Sequence, residues 1–173
     1  MPLNGYSPRC GKLSGGVKGI AIAPATGITT IEYGRQGEVT NMTVAEGSGF
    51  AEYVFREDAA EYLEKVSCDT GTAIVEHRLT LFLERMDGNS GRAVRELLSG
   101  CRDGYAAIIT LSNGVRYLVG ADARFDPERP LRIESAAGKS GEKLSDDSGE
   151  TLTLACTDSC KAPVFTGDIP YAR

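Results

Sequence analysis

Short apolar and β-branched stretches alternate along this chain with turns rich in glycine, asparagine and aspartate. Stretches of this kind are typical of β-strands joined by tight hairpins. Asn113-Gly114 predicts a hairpin with a type I′ turn, which needs positive φ at both central positions. The pattern predicts strands at Val17–Pro24, Gly27–Gly34, Glu38–Glu46, Phe50–Glu57, Glu61–Cys68, Thr72–Met86, on both sides of the turn within Tyr105–Gly120, and at Leu131–Ala136 and Thr151–Cys156.

One stretch, "SGRAVRELLSG", has helical rather than strand periodicity. Its apolar residues recur at i, i+3 and i+4 and therefore share one face of a helix: Val94, Leu97 and Leu98. We predict a short helix at residues 90–99, capped at its start by Asn89 or Ser90. Gly100 stands where a left-handed residue often ends a helix. Three apolar positions cover one small surface, so this helix is expected to close one side of a sheet.

Hairpin-linked strands without strand–helix alternation predict a mainly β fold. We expect an antiparallel β-sandwich or barrel with one short flanking α-helix. The predicted organisation is an N-terminal arm at residues 1–16, the β domain at 17–156 and a polar C-terminal tail at 157–173. The strand Glu61–Cys68 carries charge on both faces, so we expect it to project into solvent or to meet a partner.

The charge balance and hydropathy exclude several classes of function. The net charge is -5, from 24 acidic and 19 basic residues that are interspersed along the chain. Since no basic stripe exists, sequence-specific DNA or RNA binding is disfavoured. No apolar run reaches the length of a membrane-spanning helix, and the first residues lack the apolar core of a signal peptide. We therefore expect synthesis in a cytoplasm and no membrane insertion.

The five cysteines do not form a disulfide framework or a recognisable metal motif. Their number is odd, and Cys10, Cys68 and Cys101 are far apart in the sequence. Cys156 and Cys160 form a Cys-x3-Cys pair, but this spacing is not that of a zinc ribbon. We interpret all five as ordinary thiols and expect no metal site.

The remaining candidates for chemistry are one histidine and one acidic segment. His77 lies within a predicted strand, and we interpret it as a solvated or interface histidine, although partnership with a cysteine stays open. A second cluster lies in "EKLSDDSGE" and consists of Glu142, Asp146, Asp147 and Glu150. Its carboxylates suit calcium, but the ordered pattern of a calcium loop is missing, so we favour an acidic solvent loop.

A glycine-rich stretch, Ser14–Gly19, does not qualify as a phosphate-binding loop. It enters a predicted strand, whereas a phosphate-cradling loop follows a strand and opens a helix. We therefore predict no catalytic, cofactor-binding or metal-binding residues, and we expect a building block or binding module rather than an enzyme.

The order of segments resembles small tail proteins of tailed phages and prophages, particularly those of Bacteroidales hosts, and more loosely the tail-tube fold. The similarity covers residues 10–156 and is carried by "CGKLSGGVKGIAIA", "LTLFLERMD", "SGRAVRELLSG", "YAAIITLSNGVRYLVG" and "SGETLTLACTD", in that order. These are strand edges and turns, so no functional residue is carried over.

The resemblance implies a virion structural protein, namely a tail-tube subunit that forms stacked, hexameric rings around a lumen through which DNA passes. Its partners would be copies of itself and other tail proteins such as the tape measure, terminator and baseplate. The segments 1–16, Gly34–Gly49 and 157–173 are candidates for contacts between rings. An acidic balance suits a lumen that must not hold phosphate.

Two alternatives remain open from the sequence. The first is another tail component, such as a terminator, connector or baseplate protein, whose rings would not stack. The second is a β-sandwich module that binds carbohydrate or protein. The absence of tryptophan and an aromatic content of 7% count against stacking on sugar rings.

Overall fold

A computed structural model describes residues 15–56, 58–69, 71–121, 129–143 and 146–172. The fold is mainly β, with antiparallel sheets and one α-helix among these residues, as the sequence predicts. The elements are β1 (Val17–Pro24), β2 (Ile28–Tyr33), β3 (Val39–Val44), β4 (Ala51–Tyr53), β5 (Ala60–Asp69), β6 (Thr72–Glu84), α1 (Gly88–Ser99), β7 (Tyr105–Leu111), β8 (Arg116–Val119), β9 (Arg132–Lys139) and β10 (Gly149–Asp158).

The strands form three layers, and the described strands do not close into a barrel. The middle layer, here called the central sheet, has the order β4-β1-β7-β8. The outer sheet has the order β5-β6-β10-β9 and packs on one face of the central sheet. The β2–β3 hairpin packs on the other face of the central sheet.

The central sheet is buried on both faces, which explains the unbroken apolar character of β1 and β7. In β7, Ala107 and Ile109 point into the core shared with the outer sheet. Ala106 and Ile108 point into a second core, beneath the β2–β3 hairpin. Strand β6 has the opposite character, because only its inner face is covered. Its residues alternate between buried and more exposed positions, and the buried ones include Leu79, Leu81 and Leu83.

Helix α1 closes one side of the core between the two sheets, in the role predicted for it. Val94 and Leu97 are buried in that core, and the hydroxyl of Tyr105 donates a hydrogen bond to the Leu97 carbonyl. Leu98 does not belong to the buried stripe, contrary to the prediction, because 45% of its surface is exposed. The stripe continues instead through Ser90, which is buried.

The predicted ends of the helix are wrong in detail. The N-cap is Asp87, whose carboxylate accepts hydrogen bonds from the backbone N–H groups of Asn89 and Ser90 at 2.8 and 3.0 Å. The Ser90 hydroxyl in turn accepts from the Asp87 N–H, which completes a capping box. Gly100 has φ −98°, so it is not left-handed; the left-handed residue is Gly104, with φ +79°.

The capping carboxylate of Asp87 leads to a prediction about how the stability of the protein depends on pH. The N–H groups of Ser90 and Asn89 lower the pKa of Asp87 below its ordinary value of 3.8. A group with a lowered folded-state pKa stabilises the fold above its unfolded pKa, and this contribution is lost as pH falls through the folded pKa. We expect Asp87→Asn, which keeps the acceptor oxygen, to destabilise the protein at pH 6 and to differ less from the unchanged protein at pH 3, which lies below the ordinary pKa of 3.8.

Urea unfolding at both pH values measures this effect. Asp168→Asn, an exposed aspartate outside the helix, serves as the control. A difference between Asp87→Asn and the unchanged protein that is undiminished at the lower pH would show that the charge of Asp87 is not what stabilises the cap.

The turn at Asn113-Gly114 joins β7 to β8 as predicted, but it is not of type I′. Gly114 has φ +86°, whereas Asn113 is absent from the described non-glycine residues with positive φ. The loop spans residues 112–115, and the side chain of Asn113 accepts a hydrogen bond from the N–H of Val115 at 3.0 Å. The asparagine thus stabilises the turn through its side chain rather than through a left-handed backbone.

The segment predicted as a polar tail packs against the domain. Strand β10 continues past the predicted boundary at Cys156 to Asp158. Beyond it, residues 161–172, here called the C-terminal strap, run along the edge of β8 and then over the second core. Phe165 is 1% exposed in that core, and its N–H donates to the carbonyl of Arg116 at 2.8 Å. The strap therefore joins the central sheet to the β2–β3 hairpin.

Two other predicted segments have different outcomes. The segment Gly34–Gly49, a candidate for contacts between rings, contains β3, whose Val39 and Met42 are buried. The strand predicted at Phe50–Glu57 is shorter, because β4 ends at Tyr53. Residues 1–14 of the predicted N-terminal arm lie outside the described residues.

Candidate functional site

A cluster of polar side chains lies on the inner face of the outer sheet, at the end where β10 leads into the strap. Tyr62 and Glu64 of β5 face His77 of β6, whose cross-strand neighbour on its other side is Cys156 of β10. Lys161 reaches the cluster from the start of the strap, with its Nζ 3.0 Å from Glu64 Oε1. We call Tyr62, Glu64, His77, Cys156 and Lys161 the polar cluster.

His77 is the most deeply buried member of the cluster, which contradicts its interpretation as a solvated or interface residue. It is 2% exposed. Its Nε2 lies 3.3 Å from the Cys160 carbonyl oxygen, which can only accept, so Nε2 carries a proton. Its Nδ1 lies 2.9 Å from the Tyr62 hydroxyl, which donates to it when the imidazole is neutral. Both ring nitrogens therefore have partners.

Glu64 connects the outer sheet to the strap. Besides the ion pair with Lys161, Glu64 Oε2 accepts a hydrogen bond from the Ala162 N–H at 2.9 Å. The Tyr62 hydroxyl lies 3.4 Å from the same oxygen. Hydrogen bonding to Glu64 raises the pKa of Lys161, so this cation stays charged across the neutral range. The cluster thus fixes the first residues of the strap on the inner face of the sheet.

The cluster is unsuited to nucleophilic catalysis. Burial, followed by the charge of Asp158, raises the pKa of the Cys156 thiol to about 12, so it remains protonated at neutral pH. Burial, followed by the charge of Glu64, also raises the pKa of Tyr62. His77 has no free nitrogen to act as a base towards either group. The open question of a His77–cysteine partnership is thereby answered: Cys156 is its neighbour across the strands, and Cys160 contacts it through a backbone carbonyl.

The other sequence candidates do not join this cluster. Cys68 and Cys101 are exposed, and Cys10 lies outside the described residues. The acidic segment lies at the opposite end of the outer sheet, where Asp146 accepts hydrogen bonds from the backbone of Glu142 and Lys143, and Glu150 accepts from Ser90. Among the described residues, no group of three or more histidine, cysteine or acidic side chains is placed to hold a metal ion.

Sequence reasoning missed most of the polar cluster. Tyr62, Glu64 and Lys161 carry no motif, and the strap was expected to be a tail. The available signal was the alternation in β5, which places Tyr62 and Glu64 on the face that also carries Val66 and Cys68. Nothing in the local pattern shows that this face meets His77.

The hydrogen bonds of the polar cluster predict that removal of the Tyr62 hydroxyl lowers the free energy of unfolding. Tyr62→Phe leaves His77 Nδ1 buried without its donor, and an unsatisfied buried polar atom costs about 1–3 kcal/mol. We expect a loss of that size in the free energy of unfolding measured with urea. Tyr171→Phe, at a tyrosine that is 49% exposed, should change it by less than about 0.5 kcal/mol. Equal effects of the two substitutions would mean that the Tyr62–His77 bond is not a stabilising contact.

A different surface, the two edges of the outer sheet, is better suited to an intermolecular role. Among the described residues, no backbone hydrogen bond reaches the outer edge of β5 or of β9. The edges of the central sheet are treated differently. Val164 of the strap pairs with Tyr117 of β8. Tyr171 of the strap pairs with Phe50, the residue just before β4. Strands β5 and β9, of ten and eight residues, are thus the longest strands whose outer edge has no described partner.

Comparisons with models of protein families, with curated proteins and with solved structures found no match for this chain. Within the described residues, no helix is long and apolar enough to cross a membrane. Function must therefore be argued from the geometry of the chain itself.

Proposed function

We propose that this protein is a tail-tube subunit of a tailed phage or prophage, which forms stacked hexameric rings around a DNA-conducting lumen in the virion. The observation that carries the proposal is the pair of edges on the outer sheet that no described segment covers. Unpaired strand edges are sites at which other strands add, and natural monomers usually cover them, as the strap does beside β8.

The direction of the strands supports a ring of identical copies. All neighbours in the outer sheet are antiparallel, so β5 and β9, with two strands between them, run in opposite directions. When copies are related by rotation, β9 of one copy lies beside β5 of the next in antiparallel orientation. The same ladder type then continues through every junction, and the four strands of each copy merge into a barrel.

The position of the other layers determines which face lines the lumen of such a barrel. The central sheet covers the inner face of the outer sheet, and the β2–β3 hairpin lies on the far side of the central sheet, so these two layers are too bulky for the inside of the ring. The other face of the outer sheet is exposed to solvent, and two of its cations are paired with carboxylates. Arg78 lies 2.8 Å from Glu134, and Lys65 lies 4.0 Å from Glu76. Cations neutralised in this way hold passing phosphates less strongly.

Electron microscopy of the purified protein tests the proposal directly. We expect rings that stack into tubes, alone or with tail partners added. A monodisperse monomer at high concentration, with no rings even when partners are supplied, would contradict the proposal and favour a binding module. Rings that never stack would point to a terminator or connector.

Proline substitutions in β9 test the role of its edge. Successive N–H groups of a strand point to opposite sides, so of Ala136 and Ala137 one donates towards β10 and the other towards the free edge. We expect one of Ala136→Pro and Ala137→Pro to fold normally and to lose the rings, and the other to destabilise the fold. Circular dichroism checks folding and microscopy checks assembly. If every proline variant that folds also forms rings, the edge of β9 is not the junction between copies.

A further inference from the structure

An open cleft of about 620 Å³ lies at one end of the outer sheet. The first residues of β6 and the last residues of β10 form its walls, and Ile74, Pro130 and Ala155 give it an apolar lining. Two arginines, Arg129 and Arg132, also line it. We call this feature the arginine cleft.

Neither arginine of the cleft has an ion-pair partner among the described residues. Both side chains are exposed. The acidic residue of the cleft, Asp158, accepts a hydrogen bond from the Ser159 N–H at 2.6 Å, so part of its acceptor capacity is used locally. Two guanidinium groups beside an apolar wall suit a short acidic segment, because arginine binds carboxylates with two parallel hydrogen bonds.

The opposite end of the same sheet carries the acidic turn, defined as residues 140–143 and 146–148 between β9 and β10. Asp146 shapes this turn by accepting hydrogen bonds from the N–H groups of Glu142 and Lys143, both at 3.0 Å. The side chains of Glu142 and Asp147 are exposed, and Asp147 makes one long contact of 3.5 Å with Arg56. These two carboxylates are therefore available to a partner.

The strands themselves set the distance and direction between the two features. Lys139 pairs with Gly149 beside the acidic turn, and Arg132 pairs with Ala155 beside the arginine cleft. At about 3.3 Å per residue, the two sites lie roughly 20 Å apart along the strands. In a barrel closed through β5 and β9, strands run at a tilt to the ring axis, so these ends form the two opposite faces of the ring.

We propose that the acidic turn of one copy docks into the arginine cleft of a copy in the next ring, and that this contact directs ring stacking. The inference rests on the proposed tail-tube function. The tip of the β5–β6 hairpin lies at the same end of the sheet as the cleft and contributes Ile74 to its lining. This hairpin extends past the end of β10, since Asp158 pairs with Val75. The contact thus rests on charge complementarity, and it has a defined polarity because the turn and the cleft lie at opposite ends of the sheet.

Two charge reversals test the contact. The cleft variant is Arg129→Glu/Arg132→Glu, and the turn variant is Glu142→Lys/Asp147→Lys, which leaves Asp146 to shape the turn. The matched control is Arg95→Glu/Arg102→Glu, at exposed positions on and after α1. Microscopy scores rings and tubes separately, and sedimentation measures the fraction in tubes.

We expect each variant alone to form rings and to lose tubes, whereas the control forms both. A mixture of preformed rings of the two variants should regain tubes, because each turn then meets a cleft of opposite charge. If the cleft variant forms tubes as the unchanged protein does, the stacking contact is wrong while the ring proposal stands. If it stacks normally but binds a duplex DNA probe less tightly, the cleft is a phosphate site and the contact is again wrong.

Failure of the proposed function has a different signature. If the unchanged protein forms no rings, the two variants are mixed in solution and their association is measured by sedimentation. A complex that forms only in the mixture would support the docking of turn and cleft and contradict the tube. No association in the mixture would overturn the docking as well.

Discussion

Leu97→Asp is expected to unfold the protein or to make it aggregate. Leu97 is 3% exposed and packs between the two sheets, with no cation described beside it in the core. An ionised carboxylate buried without a partner costs several kcal/mol, and it also removes the apolar contacts of the leucine. Typical domains have only about 5–15 kcal/mol of stability in total. Circular dichroism and gel filtration of the purified variant measure the loss.

The neighbouring residue provides the control. Leu98 is on the same helix but is 45% exposed, so Leu98→Asp should leave the fold intact and change the free energy of unfolding by less than about 0.5 kcal/mol. If Leu97→Asp stays folded and merely fails to assemble, α1 is an interface between copies, and its role as a cover for the core is wrong.

Phe165→Ala is expected to cost about 3–5 kcal/mol in the free energy of unfolding, the usual range for removing a buried aromatic ring. Phe165 fills the second core together with Val39, Phe50 and Leu118, and its ring lies 5.3 Å below the guanidinium of Arg116. Its loss leaves a cavity where the strap, the central sheet and the β2–β3 hairpin meet. Urea unfolding followed by circular dichroism gives the magnitude.

The adjacent Val164 serves as the control for this effect. It is 38% exposed, so Val164→Ala should cost well under half as much as Phe165→Ala. Comparable losses at the two positions would mean that the strap stabilises the protein through its backbone pairing with β8 and β3 rather than through the buried ring.

These predictions depend on different levels of structure. The sequence alone is enough to predict some of the features behind them but not others. The leucine strand and the helix after it are local features: their spacing alone predicts β6 and α1, and the structure confirms both to within about two residues. The exposure of Leu98 is not local. It follows from how the helix is turned on the sheets, and three apolar residues on one face do not specify that rotation.

The sequence predicts the candidate surfaces less completely than it predicts the fold. The charge on both faces of β5 predicted a strand that is exposed or meets a partner, and β5 is an edge strand with exposed side chains on both faces. That β9 forms the other edge of the same sheet depends on pairings between residues far apart in the chain. The resemblance to phage tail proteins stays a prediction, and the assembly experiments above are its test.

By itself, the sequence determined the approximate positions of most described strands, the hairpin between β7 and β8, helix α1 and the mainly β class. Each of these depends on neighbouring residues whose side-chain periodicity matches one backbone geometry. Only the tertiary structure decided that His77 is buried, that the strap covers the second core and that neither edge of the outer sheet has a partner among the described residues. These properties arise where segments distant in the chain meet, because burial and pairing belong to the contact between segments and not to either segment alone.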